Sequence, residues 1–180
     1  MKITKTGIEG PLIIEPQIFT DARGYFFESY NEEKMKSMGI SGRFVQDNQS
    51  LSQKGAIRGL HFQSPPFEQG KLVRVVQGAV LDVVVDIRKN SVTYGRQISV
   101  ELSAQNQLMF WIPPGFAHGF ETLMDDTLFL YKCTNTYNKA SEGGLLWNDP
   151  ELAIEWKTAC PIVSDKDKVL PTLKNFTSPF

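Results

Sequence analysis

The sequence has 180 residues, of which 41% are hydrophobic and 11% aromatic, and its formal net charge at pH 7 is -1. A chain of this length buries about 70% of its unfolded surface on folding, and its composition excludes a disordered or fibrous protein. The near-neutral charge excludes general binding to nucleic acid or acidic membranes, so any bound anion must meet a local cluster of cations.

The first 40 residues predict short extended segments followed by one helix. Glycines and prolines divide residues 7–30 into short pieces, as turns do between strands. Asn31 can cap a helix that continues through Met38 and ends at Gly39. This is the only clear helix in the first two-thirds of the sequence.

Strand signals dominate from Phe44 onward. Valine-rich or alternating segments, separated by glycine and proline turns, predict strands at residues 72–77, 79–87, 96–102, 107–112, 118–123 and 127–134. Strands at intervals of about ten residues with no helices between them favour an all-β antiparallel barrel or jelly roll with short peripheral helices. Such a barrel encloses a cavity that inward-facing side chains line.

The C-terminal part of the chain has a different character. Trp147 and Trp156 lie in segments that predict packing on the outside of the barrel, and residues 164–168 predict the start of a helix. We therefore predict one domain over residues 1–180, with an N-terminal strand extension and a C-terminal packing segment.

Cysteine content and hydrophobic patterning predict the cellular compartment. Cys133 and Cys160 form no CxxC pair, and a chain of this size does not need a disulfide, so we expect two reduced thiols. The N-terminal residues lack the apolar core of a signal peptide, and no apolar run approaches the roughly 18 residues of a membrane span. We expect a soluble cytoplasmic protein.

Two spacings match parts of the cupin pattern. Gly55, His61 and Gly78 match its first half, and the segment PPGFAH, which ends at His118, matches part of its second half. Metal-binding cupins carry two histidines as HxH in the first half, but here Gln63 occupies the second position. Because the chain has only two histidines, it cannot supply three imidazole ligands, and we predict neither a metal site nor a cofactor.

Spacing alone does not assign a catalytic role to any of these residues. A lone histidine such as His61 in a barrel strand is more often structural than catalytic. Lys71 and Arg58 are compatible with a solvated sheet face, and Tyr131 with an ordinary strand aromatic. Asp167 has an alternative role as well, because Ser-x-x-Asp is a helix N-terminal capping signal.

A resemblance along nearly the whole chain changes this balance. The motifs FxDxRGxFxE, FVQDNQS, RGLHFQ, QGKLVRVVQG, IPPGFAHGF, YKCTNTY, SEGGLLWNDP and SDKD occur in this order between residues 19 and 167. Together they resemble the dTDP-4-dehydrorhamnose 3,5-epimerase family, whose members invert two carbons of dTDP-4-keto-6-deoxy-D-glucose on the way to dTDP-L-rhamnose.

The resemblance implies a role for four catalytic residues. A C4 ketone acidifies the protons on C3 and C5, so epimerisation needs a base, a stabiliser for the enolate oxygen and an acid on the opposite face. By the resemblance, His61 is the base and Asp167 holds its tautomer. Lys71 matches the cation near the C4 oxygen, and Tyr131 matches the proton donor.

The resemblance also implies the substrate contacts and a homodimer. The contacts are Arg23, Glu28, Gln46, Asp47, Asn48, Arg58, His118, Tyr137, Glu142 and Lys166. Arg23, Arg58 and His118 match pyrophosphate contacts, and Tyr137 matches the ring that stacks on thymine. In the family the N-terminal strands cross the dimer interface, so some contacts are expected from the partner subunit.

Two local questions stay open at the level of sequence. In a regular strand Arg58 and His61 face opposite sides, so either a bulge at Gly59 turns Arg58 inward or Arg58 acts from the barrel rim. Asp82 either pairs with Lys71 or faces solvent.

Alternative functions are also open. Within the same class, the alternative is a single-carbon epimerase acting on another dTDP-4-ketodeoxysugar. A metal-dependent cupin oxygenase and a catalytically inactive carbohydrate-binding barrel are further alternatives. No class predicts nucleic acid or membrane as a partner.

Overall fold

The computed structural model of the protein describes residues 1–40 and 42–180. Its strands are β1 Lys2–Lys5, β2 Leu12–Glu15, β3 Phe19–Asp21, β4 Gly24–Phe26, β5 Gln46–Ser52, β6 Ala56–Gln63, β7 Lys71–Gln77, β8 Ala79–Asp86, β9 Gln97–Ser103, β10 Met109–Ile112, β11 Phe116–Thr122, β12 Thr127–Cys133, β13 Glu142–Gly144 and β14 Ile162–Val163. The helix α1 is Glu32–Ser37, and single 3-10 turns span Lys139–Ser141, Asp167–Val169 and Leu173–Asn175.

The strands form two sheets and a separate hairpin. The first sheet has the order β1-β2-β10-β7-β12-β5 and the second has the order β13-β6-β11-β8-β9, while among the described strands β3 pairs only with β4. Every neighbouring pair is antiparallel except β14, which lies parallel to β6. The prediction of an all-β antiparallel jelly roll is confirmed, and each of the six predicted strands matches an observed one to within two residues.

The core lies between the facing sheets. Phe129 of the first sheet stacks on Phe120 of the second, with ring centroids 4.3 Å apart. Valines from the strands of both sheets, including Val73 and Val84, are buried around these rings. Because successive strand residues alternate sides, the same strands that build this core also direct polar side chains into the space between the sheets.

Helix α1, which the sequence predicted between Asn31 and Gly39, covers the outer face of the first sheet. The Asn31 side chain accepts a hydrogen bond from the Lys34 N–H at 3.1 Å, and Gly39 follows the helix with a φ of +81°. Met35 is buried in a cluster with Ile14 and other residues of that sheet face. The helix therefore stabilises the sheet from outside and leaves the interior free.

The C-terminal segment covers the outer face of the second sheet. Trp156 packs against the cluster that contains Phe62, and its indole N–H donates to the Trp147 carbonyl at 2.8 Å. The helix predicted at residues 164–168 is reduced to the 3-10 turn Asp167–Val169. Pro171 disfavours helical geometry at the preceding residue and so ends the turn.

Both cysteines are free thiols, as predicted, with Cys133 buried and Cys160 exposed. Among the described residues, no helix has the length and apolarity needed to span a membrane.

Candidate active site

A bulge in β6 determines which side chains face the space between the sheets. His61 is opposite His118 of β11, but Arg58 is opposite Phe120, so three steps along β6 match two steps along β11. Gly59 has a φ of +126°, and a Cβ there would lie 2.6 Å from the Gly119 Cα. The close strand approach thus requires glycine.

Arg58 and His61 consequently border the same cavity, which has a volume of about 520 Å³. Arg58 is also exposed, and its Nε donates to Ser52 Oγ at 3.0 Å. Both sequence alternatives for Arg58 are therefore partly right, because the bulge is present and the guanidinium lies at the cavity rim.

His61 pairs with Asp167, which comes from the C-terminal turn. His61 Nε2 lies 2.7 Å from Asp167 Oδ1, and Asp167 Oδ2 accepts the Gly59 N–H at 3.2 Å. This arrangement fixes the imidazole orientation and leaves the other ring nitrogen to accept a proton from a molecule in the cavity.

The capping and dyad roles of Asp167 do not compete. The Asp167 N–H donates to Ser164 Oγ at 3.2 Å, so this capping contact uses the backbone while a carboxylate oxygen pairs with His61. Burial is the largest influence on the Asp167 pKa and tends to raise it. Hydrogen bonds from His61, the Gly59 N–H and Ser164 outweigh burial, and the pKa of Asp167 is lowered.

His61 also borders a second, smaller cavity of about 320 Å³. Lys71 of β7 and Tyr131 of β12 border both cavities as well. Since His61 belongs to the second sheet and the other two residues to the first, a molecule lying between the sheets has the imidazole on one side and the ammonium and phenol on the other.

Burial changes the acid–base properties of the two groups on the first sheet. It is the main cause that lowers the pKa of Lys71, and the nearby Cys133, Asp82 and Glu142 oppose it. It is also the main cause that raises the pKa of Tyr131, with Cys133 adding to the rise and Arg58 opposing it. A phenol with a raised pKa keeps its proton at neutral pH and can give it only to a strong base such as an enolate.

His118 and Asp82 form a second histidine–carboxylate pair in the second sheet. His118 Nε2 lies 2.9 and 3.1 Å from the two Asp82 oxygens, and both residues are buried. Asp82 therefore does not face solvent, which corrects one of the two sequence alternatives. Its direct partner is His118 rather than Lys71, although the Lys71 charge acts on the Asp82 pKa.

Both pKa shifts in this pair favour neutral groups. Burial is the main cause that lowers the pKa of His118 and raises that of Asp82, and the attraction between the two groups opposes burial only in part. His118 borders the larger cavity, but with Nε2 on Asp82 a contact to a phosphate would have to use its other ring nitrogen.

Most of the remaining predicted contacts border the two cavities. Gln46, Asn48, Tyr137 and Glu142 border the smaller cavity, and Lys166 the larger one. The Tyr137 hydroxyl donates to Glu142 Oε2 at 3.0 Å, and Lys166 pairs with the other oxygen of the same carboxylate. Glu142 thus connects the walls of the two cavities.

Three predicted contacts lie elsewhere in this single chain. Arg23 is at the turn of the β3–β4 hairpin with its side chain 91% exposed and paired with Asp21. Glu28 precedes helix α1 and forms an ion pair with Lys34 of that helix. Asp47 points away from both cavities and forms an ion pair with Lys132 at 2.9 Å.

Several residues that border the cavities are not among the predicted catalytic residues or contacts. Ser50 borders the larger cavity, and its buried hydroxyl has no hydrogen-bond partner in the part of the chain that the structure describes. Gln63 and Gln69 border the smaller one. All three lie inside the motifs FVQDNQS, RGLHFQ and QGKLVRVVQG, and this position was the available signal. Among the described residues, no three His, Cys, Asp or Glu side chains form a possible metal-ligand group.

A jelly roll whose interior brings together a carboxylate-bound histidine, a buried lysine and a tyrosine defines a cupin-like barrel equipped for proton transfer. Comparison with known proteins gives the family. The family model described as dTDP-4-dehydrorhamnose 3,5-epimerase matches residues 5–175, and the chain belongs to this family.

Three relatives illustrate how far the resemblance extends along each chain. A dTDP-4-dehydrorhamnose 3,5-epimerase of Shigella flexneri is 51% identical, with 93% of each chain covered. The crystal structure of the enzyme of that name from Elizabethkingia anophelis NUHP1 superimposes with a TM-score of 0.93 at 49% identity, covering 98% of this chain and 99% of the other. A Legionella pneumophila Philadelphia 1 epimerase in complex with dTDP-4-keto-L-rhamnose gives a TM-score of 0.93 at 47% identity, covering 96% and 93%.

Proposed function

We propose that this protein epimerises dTDP-4-dehydro-6-deoxy-D-glucose at C3 and C5 to give dTDP-4-dehydro-L-rhamnose. The observation that carries the proposal is the placement of His61 on one sheet and of Lys71 and Tyr131 on the facing sheet, around shared cavities. Inversion at carbon needs removal of a proton from one face and delivery to the other. Groups on facing sheets meet this requirement.

Each step of the reaction has a residue suited to it. His61, held by Asp167, takes the proton from the carbon next to the ketone. The electron pair moves to the C4 oxygen, where the Lys71 ammonium stabilises the enolate. Tyr131 then gives its proton to the opposite face of the carbon, and proton exchange with water restores both side chains. The chemistry needs no cofactor, because the substrate ketone itself stabilises the carbanion.

The substrate is held by its nucleotide and phosphates. Arg58 at the rim suits pyrophosphate oxygens, as does Lys166. Gln46, Asn48, Tyr137 and Glu142 offer amide, aromatic and carboxylate groups at the smaller cavity. His118 borders the larger cavity and is a further phosphate candidate.

A homodimer completes the site in this proposal. The β3–β4 hairpin pairs with no other described strand, and its Phe19, Tyr25 and Phe26 are 56%, 60% and 66% exposed. Exposed aromatic clusters of this kind indicate a protein interface. Exchange of the hairpin between subunits would bring Arg23 and Glu28 to the partner's cavity, and Asp47 on the edge strand β5 would then contact the partner.

The cellular role follows from the reaction. The product is a precursor of dTDP-L-rhamnose, so we place the enzyme in the cytoplasm, in the supply of rhamnose for a lipopolysaccharide or another surface polysaccharide.

Solvent isotope labelling tests the reaction. The purified protein is incubated with dTDP-4-keto-6-deoxyglucose in deuterated water, and the products are analysed by NMR. Deuterium at both C3 and C5 is the expected result. Deuterium at C3 alone would instead establish the single-carbon epimerase, and dTDP-sugar binding without any label would establish an inactive binding barrel.

Subunit mixing tests the dimer. Arg23→Ala and His61→Asn should each be nearly inactive alone. Mixed dimers contain one site with both native residues, so equal mixing with subunit exchange should restore about a quarter of the wild-type activity. No gain on mixing would show that Arg23 and His61 do not act across an interface.

A further inference from the structure

The segment of residues 135–138 carries Tyr137, which borders the smaller cavity. It connects β12 to the 3-10 turn Lys139–Ser141 and belongs to no strand or helix. Backbone groups in such a segment must find hydrogen-bond partners outside regular secondary structure. Four of these backbone groups bond to the side chains of three glutamines, Gln46, Gln63 and Gln69, which we call the amide triad.

Each glutamine contacts a different part of the segment. Gln69 Nε2 donates to the Asn135 carbonyl at 2.8 Å. Gln46 Oε1 accepts the Tyr137 N–H at 2.8 Å. These two glutamines hold residues 135 and 137, and Gln63 holds residues 136 and 138.

Gln63 is the central member of the triad. Its Nε2 donates to the Thr136 carbonyl at 3.2 Å and to the Phe67 carbonyl at 2.6 Å. Its Oε1 accepts the Asn138 N–H at 2.7 Å. The side chain thus connects the segment of Tyr137 to the neighbouring loop of Phe67.

The contacts of Gln63 explain why an amide occupies this position. A neutral imidazole has one donor and one acceptor, whereas a glutamine amide has two donors and an acceptor. Gln63 uses both kinds of group at once and is only 5% exposed. The position that carries the second histidine in metal-binding cupins has therefore become a structural contact of the cavity wall.

We propose that the amide triad consists of positioning residues that hold Tyr137 in the orientation needed to bind the nucleotide. The proposal rests on the proposed function for the identity of that nucleotide. It assigns the triad to substrate affinity and not to proton transfer, because none of its hydrogen bonds reaches His61, Lys71 or Tyr131.

Gln63→Leu is the principal test, with Gln69→Leu as a milder variant that removes a single bond. Dissociation constants for dTDP are measured by calorimetry, and kcat with the dTDP-ketosugar. We expect the dTDP dissociation constant of Gln63→Leu to rise about tenfold or more, with kcat within about threefold of wild type. Gln69→Leu should show a smaller rise in the same direction.

Amide exchange measured by NMR gives a readout that does not depend on catalysis. The Asn138 and Tyr137 N–H groups should exchange faster in Gln63→Leu than in wild type. Gln77→Leu is the matched control, because Gln77 Nε2 donates to the Asp126 carbonyl at 2.9 Å outside both cavities. The control should change neither dTDP affinity nor exchange at residues 137 and 138.

Two results would overturn the proposal. One is a folded Gln63→Leu protein with wild-type dTDP affinity and unchanged exchange at Tyr137 and Asn138. The other is a large loss of kcat with unchanged dTDP affinity, which would place the triad in the chemistry. Failure of the proposed function would look different, because wild-type protein would then incorporate no deuterium at C3 or C5, whatever the variants do to dTDP binding.

Discussion

The two histidine–aspartate pairs have the same chemical groups but different surroundings. His61 and His118 are direct partners on neighbouring strands. The His61 side chain is 30% exposed and that of His118 only 7%. The carboxylate for His118 comes from Asp82, within the same sheet, whereas the carboxylate for His61 comes from a turn near the C-terminus.

This difference determines what each pair can do. The turn that supplies Asp167 approaches His61 from one side and leaves the rest of the ring open to both cavities, so this pair can exchange protons with a bound molecule. The sheet surrounds the His118 pair, and burial favours its neutral form. One pair is therefore suited to catalysis and the other to holding the cavity wall.

Removing the partly exposed imidazole of His61 should have the largest effect on the reaction rate. His61→Asn should lower the rate of deuterium exchange at both C3 and C5 by about a thousandfold or more, because general-base catalysis is lost. His118→Asn should keep measurable exchange and mainly raise KM. Exchange is followed by NMR in deuterated water. Normal turnover by His61→Asn would show that His61 is not the base.

Lys71 lies on the facing sheet, where its charge acts on the His118–Asp82 pair and its side chain borders the same cavities as His61, and its replacement should have the next largest effect. Lys71→Met removes the charge proposed to stabilise the enolate, so kcat should fall about a hundredfold to a thousandfold. Lys71→Arg should retain more activity. Lys132→Met is a surface control, since Lys132 pairs with Asp47 outside the two cavities. If this control lowers kcat as much as Lys71→Met does, Lys71 has no specific role in catalysis.

Replacing Tyr131 tests whether the His61–Asp167 pair works with an acid on the facing sheet. Tyr131→Phe should slow formation of inverted product by about a hundredfold while proton abstraction by His61 continues. Comparing the rate of deuterium uptake with the rate of product formation separates these steps. If both epimerisations proceed unchanged, another group supplies the proton.

Replacing the carboxylates of Asp167 and Asp82 should have smaller effects on kcat. Asp167→Asn can hold the imidazole in the wrong tautomer, so kcat should fall tenfold to about a hundredfold, with little change in KM. Asp82→Asn should change kcat less than Asp167→Asn. Asp165→Asn is a control at an exposed site next to the same turn. Equal losses of kcat from Asp167→Asn and Asp82→Asn would contradict the assignment of separate roles.

The sequence was sufficient to predict the strands, because alternation and valine-rich segments report directly on sheets. It was not sufficient to pair His61 with Asp167. These residues are 106 positions apart, and only the family resemblance connected them. The bulge at Gly59 was foreseen as one of two options, since glycine in a strand often marks one.

Asp82 could not be assigned from the sequence for a different reason. Strand alternation gives the face on which a side chain lies but not its neighbours on that face. The partner of Asp82 lies diagonally across from it on β11, since Asp82 is opposite Phe120 and His118 is opposite Val84. The contacts of the amide triad could not be predicted on similar grounds, since they end on the segment of residues 135–138, whose path no periodicity describes.

The two pairs should also give opposite pH dependence of stability, although this effect is the smallest. The Asp167 pKa is lowered on folding, so its ionisation stabilises the fold above the unfolded pKa of about 3.9, and this contribution is lost as the pH falls through the lower folded value. The Asp82 pKa is raised, so its contribution is complete below about pH 3.9 and is lost as the pH rises through the folded value.

Urea unfolding of wild type and of the two asparagine variants, at fixed protein concentration between about pH 3 and pH 7, measures this difference. The destabilisation caused by Asp167→Asn should grow as the pH rises, while that caused by Asp82→Asn should shrink. Each unit of pKa shift corresponds to about 1.4 kcal/mol, so slopes of opposite sign are measurable even for modest shifts. Slopes of the same sign would mean that the two carboxylates are in equivalent surroundings, and the distinction between an open and a buried pair would fail.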